Sequence, residues 1–393
     1  MKNRINRRKF LTASSIATGA FIVQSNAANG WSFQQSGAPH HESSPFAPWH
    51  ALDTLTLHDA LALPAAAILA SNPHNTQPWM MSVDKARFQI LADTDRHLGS
   101  FDPYRREMWI GFGCAVANAE IISATVGFRT GQHRLSGLKA NGAGKIVLPL
   151  KKAKPVKHPL APFIRTRRTK RAPYSDRAIE TDTFNRIFKL VGDIDGASVT
   201  VFRRDSNQGQ AFANATLAAT RAINADHQMS QDAHVWFRGN AQKVAKYRDG
   251  VSIPTAGLPS ALSLLGQILP EPNAQKSGEH WLKSTQRQLE HTNGFGLIMV
   301  SDVNARHKQI AAGRVWQRLH LAFTSQGLAA QPMNQLPELV DRDRHLGMNR
   351  GWRKTLRAIA GPSGHATMAF RFGYPTRAAP HSARRPLDWV LTN

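Results

Sequence analysis

Residues 106–126 read REMWIGFGCAVANAEIISATV and are followed by Gly127. Apolar side chains recur along this run with the period of an α-helix, which predicts one long helix from about Arg106 to Val126. Glycine readily takes the left-handed backbone conformation that ends many helices. Gly127 therefore marks the end of this helix.

The order of strand, long helix, glycine and strand occurs twice along the chain. In the first half, the helix lies between strand patterns at residues 87–92 and 145–150. The elements of the second half are a strand at residues 294–301 (GFGLIMVS), a helix at about residues 305–326 that Gly327 ends, and a strand at residues 367–374. Residue identities do not repeat, but the order does. We therefore predict an α+β fold of two similar layers of helix on sheet, packed face to face.

The region from residue 182 to residue 292 adds mainly helices. Residues 228–275 have weaker and more polar patterns, and two interpretations stay open for them. They form a lid or insertion, or the stretch GLPSALSLLGQILP (residues 257–270) is a helix that packs against the core.

Composition limits the classes of protein to which this chain belongs. Its 393 residues are 41% hydrophobic and 8% aromatic, enough for one large or two ordinary globular domains. Cys114 is the only cysteine, which excludes an intrachain disulfide, a cysteine-based zinc site and a dithiol redox pair. We predict no metal site.

The formal net charge is +24, from 50 Lys and Arg against 26 Asp and Glu. A surplus of this size is typical of proteins that bind anions, and a basic exported protein that binds polyanions is one open interpretation. The charge is scattered, however, so a basic solvated surface is the other. We predict no nucleic-acid partner.

The first 27 residues have the order of a cleaved export signal: a basic stretch, an apolar run from Phe10 to Val23, and small residues. The run is too short to span a membrane, and we predict no stable membrane anchor. Arg7 and Arg8 make the segment resemble a twin-arginine signal, with an ordinary secretory signal as the alternative. We expect a periplasmic protein that crosses the membrane folded, through the twin-arginine translocase.

Residues 151–171 are dense in Lys and Arg and contain no acid. Prolines in the first part exclude a helix interior, so residues 151–164 are predicted to be a linker. In the second part, arginines flank Thr169. Guanidinium groups and a hydroxyl can bind phosphate oxygens, although a solvated basic loop is an equally open interpretation.

Arginines also accompany the last strand. Arg371 lies within FRFGYP (residues 370–375), and Arg384 and Arg385 begin RRPLDWV (residues 384–390). These residues can reach the same phosphate, or they belong to an edge strand with a basic tail.

Residues 71–79, SNPHNTQPW, form a polar loop with two prolines. The amides of Asn75 and Gln77 can both donate and accept, as is needed to pair with the edge of a flat heterocycle. A purely structural loop is the alternative. We interpret Asn72 as a turn residue, His74 as a hydrogen-bonded structural residue and Trp79 as part of the core.

Together, these segments resemble the flavin-binding segments of the FMN-dependent nitroreductase family, most closely its single-chain, Acg-like branch. The segments are ILASNPHNTQPW (residues 68–79), IRTRRTKRAPYSDRAI (residues 164–179) and FRFGYP with RRPLDWV. In that family, two subunits interlock and FMN lies between them. Here the amide loop lies only in the first half and the basic segment only in the second. The resemblance thus implies a fused pseudo-dimer, a monomer with one complete flavin site and one that has decayed.

The resemblance implies these domain bounds: a signal at residues 1–27, an extension at 28–50, one half at 51–150, a linker at 151–164, and the other half at 165–393.

The resemblance also implies roles for ten residues. Arg167, Arg168 and Thr169 would hold the FMN phosphate, with Arg371, Arg384 and Arg385 as further phosphate candidates. Arg171 would lie nearest the flavin ring, Asn75 and Gln77 would face its edge, and Ser71 would shape the turn.

The implied activity is that of an exported oxidoreductase in which the flavin does the chemistry and no side chain acts as an obligatory acid or base. An unidentified electron donor reduces the flavin, which then reduces a small planar, nitro or quinone-like substrate. Arg171 would stabilise negative charge on the reduced ring. A protein that only binds and sequesters FMN under a lid is the alternative.

Overall fold

The computed structural model describes strands at Phe21–Gln24 and Ser32–Gln35, and residues 44–53, 56–258, 263, 273–362 and 364–392. The chain divides into two compact units, Met1–Ser43 and Ser44–Asn393. In the first unit, β1 (Phe21–Gln24) and β2 (Ser32–Gln35) pair antiparallel. The rest of the predicted signal lies outside the described residues, so export stays a prediction.

The first sheet of the second unit is built from residues 79–152. Its strands are β3 (Trp79–Val83), β4 (Arg87–Ala92), β5 (Phe128–Thr130), β6 (Arg134–Ser136) and β7 (Lys145–Lys152). They lie in the order β3-β4-β7-β5, with β6 also on β7, and all pairs are antiparallel. The strands predicted at residues 87–92 and 145–150 are confirmed. Helices α1 (Ala62–Ala67) and α2 (Arg106–Thr125) accompany this sheet.

The second sheet is built from residues 197–373. Its strands are β8 (Ala197–Arg203), β11 (Gly294–Val300), β12 (Ala329–Pro332) and β13 (His365–Gly373). They lie in the order β12-β13-β11-β8 and are all antiparallel. The sequence analysis did not predict β8 or β12. In β8 most residues are only half-buried, and β12 is four residues long, so neither has a strong strand pattern.

Strand β11 separates two hydrophobic cores, and all its residues are buried. Successive side chains of a strand point to opposite faces of the sheet. Ile298 and Val300 face the core that also contains the first sheet. Phe295, Leu297 and Met299 face a second core formed with helices of the second half. Both faces of the second sheet are therefore covered.

The helices of the second half are α3 (Thr181–Val191), α4 (Asn207–Ala225), α5 (His227–Val235), α6 (Ala241–Tyr247), α7 (Ala274–Glu290), α8 (Arg306–Ser325), α9 (Gln335–His345), α10 (Trp352–Ala360) and α11 (Leu387–Val390). The predicted helical content of residues 182–292 is confirmed. Within the possible lid, a two-stranded parallel pair, β9 (Phe237–Arg238) and β10 (Val251–Ser252), flanks α6. Most of GLPSALSLLGQILP lies outside the described residues.

The two long helices, α2 and α8, cross in the core at a pair of glycines. A Cβ atom built on Gly113 would lie 2.9 Å from the Cα of Gly313, and one built on Gly313 would lie 2.9 Å from the Cα of Gly113. Each would also collide with a carbonyl oxygen of the other helix, that of Ile310 or Ile110. The backbones therefore touch directly, in a contact that is nearly the same from both sides.

Both predicted helix ends are confirmed. Gly127 and Gly327 follow α2 and α8 with φ angles of 83° and 71°, in the left-handed region.

Among the described residues, Arg106–Thr125 is the one helix long and apolar enough to cross a membrane, and it is largely buried within the protein. The prediction of an α+β fold with helix and sheet in each half is confirmed. The domain bounds within residues 28–393 stay predictions.

We expect Gly113→Ala to lower the free energy of unfolding by about 3 kcal/mol or more, because the new methyl group cannot fit between the two backbones. Gly111→Ala, on the same helix, is the matched control. Its Cβ would meet the Pro73 side chain at 3.2 Å, a tight but tolerable contact. Urea denaturation measures both variants, and equal stability of the two would contradict the close crossing.

Candidate functional site

The amide loop at residues 71–79 has an unusual backbone. His74, Asn75 and Gln77 all have positive φ angles, of 43°, 58° and 51°. Such conformations are strained for most residues other than glycine, and they concentrate at functional sites. Asn72 accepts a hydrogen bond from the Gln77 backbone at 2.8 Å, as expected of a turn residue. Trp79 is fully buried, as predicted.

The two amides predicted to face a flavin contact residues far away in the chain. The Nδ2 of Asn75 donates to the carbonyls of Gly250, at 3.1 Å, and Ala383, at 3.0 Å, and its Oδ1 accepts from Arg384. The Asn75 side chain thus uses its hydrogen-bonding capacity within the protein. A bound heterocycle would have to replace or share these contacts.

Gln77 behaves in the same way. Its Nε2 donates to the carbonyl of Arg248 at 2.8 Å, and its Oε1 accepts from the backbone of Arg385 at 2.8 Å. The guanidinium of Arg385 also donates to the Gln77 carbonyl at 3.2 Å. The amide loop of the first half is therefore tied to residues 248–250 and 383–385 of the second.

Three arginines that the sequence analysis assigned to a phosphate lie next to this loop. Arg167 and Arg384 are only 2% and 3% exposed. Arg167 donates to the carbonyl of Leu69 at 3.0 Å, and Arg384 donates to that of Ala70 at 3.2 Å. Arg168 donates to the carbonyls of Arg165 and Arg167, at 2.7 and 2.8 Å. We call Arg167, Arg168 and Arg384 the arginine cluster.

The arginine cluster has no acidic partner in the part of the chain that the structure describes. Its guanidinium groups contact carbonyls, the Asn75 amide and an aromatic ring, and the Nε atoms of Arg167 and Arg384 are buried without a hydrogen bond. Arg165, close by in sequence, is by contrast exposed and pairs with Asp53. Buried charges are normally paired, so this cluster is an exception that requires an explanation.

Burial lowers the pKa values of all three guanidinium groups. The pKa of Arg167 falls to about 10, and that of Arg168 falls to about 9 with a further contribution from Arg167. The pKa of Arg384 lies well below its ordinary value, first because of burial and then because of the other two cations. Positive charge is thus concentrated where water is excluded, and an anion bound there would remove the penalty.

An aromatic wall covers one side of the arginine cluster. The guanidinium carbons of Arg168 and Arg384 lie 4.3 and 5.2 Å from the centre of the Trp49 ring. Trp49 stacks in turn on His381, with 5.0 Å between ring centres and 7° between the planes. Burial, followed by Arg168, lowers the pKa of His381 to about 3, so this imidazole is neutral at neutral pH.

Polar residues inside the core hold the amide loop in place. The backbone N–H of Ser71 donates to the Oε1 of Gln317 at 3.0 Å, and the Nε2 of Gln317 donates to Asn118 at 2.8 Å. Asn118 donates to the carbonyl of Ala66 at 2.8 Å. This chain of hydrogen bonds connects the loop to α1, α2 and α8.

His320, one turn after Gln317 on α8, links the loop to the basic segment. Its Nδ1 lies 3.4 Å from the Ser71 hydroxyl, and its Nε2 lies 3.1 Å from the Arg168 carbonyl. Burial holds the pKa of His320 well below its ordinary value, so the ring is neutral. The structure therefore brings the first-half loop and the second-half basic segment together, and their role as one shared flavin site stays a prediction.

Arg171 lies at another part of the same loop. It donates to the carbonyl of Thr255 at 2.9 Å, and burial lowers its pKa to about 10. Its charge acts on His74, whose pKa is lowered to about 4, first by burial and then by Arg171. Thr169 pairs through its backbone with Ala330, at the edge of the second sheet.

Arg371 is already fully engaged with the protein. Its Nε donates to Gln331, and its four terminal N–H groups donate to the carbonyls of Gln288, His291, Lys170 and Ala172. The guanidinium also lies 3.9 Å from the centre of the Tyr174 ring. Arg371 thus holds the basic segment against the second sheet, and a phosphate contact would require one of these bonds to break.

Comparisons with known proteins agree with the sequence patterns. No family model matches the chain. Two curated proteins of Mycobacterium tuberculosis, from strains CDC 1551 and H37Rv and each assigned by name as an NAD(P)H nitroreductase, are 24% identical to it over 361 residues. The match covers 87% of this chain and 92% of theirs. The chain is thus similar to assigned nitroreductases along most of its length.

Solved structures of nitroreductases are also similar to the chain, at a low level. The FMN-dependent nitroreductase NfnB from Mycobacterium smegmatis, solved with NADPH, is 16% identical with a TM-score of 0.36. A nitroreductase with bound FMN from Bacteroides fragilis is 16% identical with a TM-score of 0.33. Each match covers 58% of this chain and 94% of the other.

Several residues of the site were not found by the sequence analysis. Gln317 and His320 lie one turn apart on a helix face that is otherwise apolar, and both are fully buried. A polar pair at this spacing inside an apolar helix is a signal from which both residues could have been predicted to belong to a site. Trp49 and His381 lie in segments without a periodic pattern, and only the tertiary structure brings them together.

We expect His74 to make stability fall as the pH decreases from about 6.5 to about 4. In this interval the unfolded chain binds a proton that the folded protein, with a His74 pKa near 4, does not bind. The contribution is about 2 kcal/mol, reduced for the partial exposure of the ring. His74→Asn keeps a residue that tolerates positive φ and should flatten the pH dependence of urea denaturation. An unchanged pH dependence would show that His74 is not buried as a neutral ring.

Proposed function

We propose that this protein is an FMN-dependent oxidoreductase of the nitroreductase type that holds one flavin per chain. The observation that carries the proposal is the arginine cluster beside the amide loop, in which Arg167 and Arg384 are buried and Arg168 is half-buried, without an acidic partner in the described residues. A phosphate dianion would supply the missing negative charge and accept the unused Nε donors. The similarity to assigned nitroreductases along most of the chain supports the same conclusion.

The arginine cluster fits the phosphate end of FMN, and at the ring end a flavin would replace or share the contacts that Asn75 and Gln77 make within the protein. Arg167, Arg168 and Arg384 would hold the phosphate, with Thr169 and Arg385 as further candidates. Asn75 and Gln77 would bind the polar edge of the ring system, where Arg171 would add positive charge. In the part of the chain that the structure describes, burial, Tyr174 and Arg371 act on the pKa of Arg171 and no carboxylate does, so its charge would be available to stabilise negative charge on the ring.

FMN when bound supplies the electron transfer to a small planar, nitro or quinone-like substrate. The chain's own residues bind and orient the flavin and exclude water from the phosphate. Because the two sets of binding residues come from opposite halves, one chain would form a complete site as a monomer. This arrangement fits the single-chain, Acg-like branch of the nitroreductase family.

The N-terminal segment supports the further proposal that the protein acts in the periplasm. A twin-arginine signal would let the chain fold around FMN before it is exported. Fractionation of cells that express the full chain tests this location, and a protein found only in the cytoplasm would contradict it.

We expect Arg168→Ala and Asn75→Ala each to raise the Kd for FMN by at least about 30-fold, the equivalent of about 2 kcal/mol. The physical reason is that each removes a polar contact from the same site, although the residues lie in opposite halves. Arg165→Ala is the matched control, since this exposed arginine of the same segment pairs with Asp53. Flavin fluorescence titration of the purified chain measures all three.

Two different results of this titration would contradict two different claims, the proposed function and the shared site. A chain that neither carries flavin absorbance nor gains it with added FMN overturns the proposed function. If only one of the two substitutions weakens binding, the two halves do not share a site.

A flavin-sequestering protein is the second candidate, and one observation favours it. Residues 248–250 occupy the amides of Asn75 and Gln77, the groups that would contact the ring. If this segment also covers bound flavin, it blocks the approach of a substrate. We then expect dithionite to reduce the flavin, whereas NADH, NADPH and nitroaromatic compounds leave its visible spectrum unchanged under anaerobic conditions. Turnover with any nicotinamide and nitroaromatic pair would exclude sequestration as the sole function.

A further inference from the structure

Residues 128–157 carry a concentration of positive charge that the proposed function does not use. The segment contains eight Lys and Arg and no Asp or Glu, and the nearest acids in the sequence are Glu120 and Asp176. It comprises β5, β6 and β7 of the first sheet and the start of the predicted linker. This segment is therefore an exception to the otherwise scattered charge of the chain.

Strand β7 has an apolar face and a basic face. Ile146, Leu148 and Leu150 are buried in the core that contains the first sheet. Because successive side chains of a strand point to opposite faces of the sheet, Lys145 and Lys151 point away from that core. The two lysines are six positions apart, and at 3.3 Å per residue the row between them is about 20 Å long.

Two arginines of neighbouring strands lie on the same face as these lysines. Arg129 of β5 lies opposite Lys151, and Arg134 of β6 lies opposite Val147. Residues directly opposite each other in an antiparallel pair share a face of the sheet. Arg129, Arg134 and Lys151 are exposed, and Lys145 is half-buried. We call these four cations the basic sheet face.

No ion pair neutralises the basic sheet face in the part of the chain that the structure describes. The carboxylates on either side of β4, those of Asp84 and Asp93, already pair with Arg87 and Arg385. Two cations of the face lie directly opposite each other on β5 and β7, and like charges in that arrangement destabilise a sheet. An anionic partner would reduce this repulsion.

The start of the predicted linker continues the positive charge beyond the end of β7. Lys152, Lys154 and Lys157 are all exposed. The backbone N–H of Val156 donates to the carbonyl of Ala124, near the end of α2, at 2.8 Å. The backbone that carries these lysines is therefore held beside the first sheet.

Exposed aliphatic side chains accompany the cations of this segment. Leu138, in the turn before β7, is 48% exposed, and Val156, after β7, is 62% exposed. Val147 and Pro149 are half-buried on the basic face of β7. Phe128 is the only Phe, Tyr or Trp of residues 128–157, and it is buried.

This combination of side chains favours a lipid surface over a nucleic acid as the anionic partner. Proteins that bind single-stranded nucleic acids stack bases on exposed aromatic side chains, and residues 128–157 expose no Phe, Tyr or Trp. Clustered basic residues attract anionic lipids, and apolar side chains beside them can enter the boundary between head groups and acyl chains. A row of about 20 Å also extends over more than one lipid head group.

We infer that the basic sheet face, together with the three lysines of the linker, is a docking surface for an anionic lipid bilayer. The cations would contact lipid phosphates, and the exposed aliphatic side chains would enter the interface. Contact of this kind is reversible and differs from a stable membrane anchor. The inference goes beyond the proposed function and requires no flavin.

The test is co-sedimentation of the purified full chain with vesicles of phosphatidylcholine, made with and without an equal part of phosphatidylglycerol. We expect the anionic vesicles to bind the wild-type chain at least about tenfold more tightly. The triple variant Arg129→Gln, Arg134→Gln, Lys151→Gln should weaken that binding by at least about 30-fold, because each basic residue near an anionic surface contributes about fivefold. The predicted signal is the same in all proteins compared.

A second triple variant removes the same charge elsewhere. Arg353→Gln, Lys354→Gln, Arg357→Gln acts on α10, where all three side chains are exposed. It should weaken binding to the anionic vesicles by less than about threefold, since only the net charge of the protein changes. Circular dichroism and thermal unfolding show that both triple variants are folded.

The aliphatic contribution is tested without a change of charge. Val156→Ser should weaken binding to the anionic vesicles by about threefold, because it removes an apolar side chain from the interface. Its affinity for heparin, a polyanion without an apolar phase, should remain that of the wild-type chain.

Three results would overturn the inference. Equal binding of the wild-type chain to both kinds of vesicle would show that anionic lipid is not recognised. An equal loss in the two triple variants would show that net charge and not this face is responsible. Binding to heparin or DNA that the first triple variant loses, without binding to vesicles, would assign the face to a polyanionic chain. Flavin titration is a separate measurement, so none of these results bears on the proposed function.

Discussion

The direct backbone contact between α2 and α8 at Gly113 and Gly313 is the constraint on which the rest of the structure depends. Side chains of ordinary size hold packed helices further apart, and only glycine at both positions lets these two approach so closely. The crossing brings Gln317 within hydrogen-bonding distance of Asn118. Through Ser71 and the carbonyl of Ala66, that pair then fixes the amide loop. The helix crossing thus positions the candidate site.

The same helix connects the two sources of binding residues. Gln317 and His320 lie on one face of α8 and contact Ser71 of the first half, and His320 also contacts the backbone of Arg168 in the second. Neither half contains a complete site, because the amides come from one and the guanidinium groups mostly from the other. The amides and the guanidinium groups of the candidate site are therefore brought together within one chain.

Electrostatics is the reason why we propose a ligand for the arginine cluster. Arg371 is also buried, but each of its N–H groups donates to an acceptor of the protein. Arg167 and Arg384 are buried with unused donors and with other cations nearby, which lowers the pKa of Arg384 strongly. Burial of cations without acidic partners costs free energy, and the anion of the proposed function would offset that cost. The Trp49 ring offsets part of the cost through its contact with two of the guanidinium groups.

The sequence by itself determined the elements whose local signals are strong. The apolar periods of α2 and α8 and the glycines after them predicted both helices to within a residue or two, and β4, β7, β11 and β13 were predicted because their apolar patterns are regular. Strands β8 and β12 were missed, since a short or half-buried strand is specified by its neighbours in the sheet and has only a weak pattern of its own.

For the site, the sequence supplied the residue types, and only the tertiary structure decided their roles. It indicated that Asn75, Gln77, Arg167 and Arg168 belong together, because their segments resemble parts of one binding site. It did not show that Arg371 is saturated by carbonyls, that Trp49 covers the arginine cluster, or that residues 248–250 occupy the amides. Each of these depends on contacts between segments that are distant along the chain, and burial and hydrogen-bond satisfaction exist only after those segments have packed.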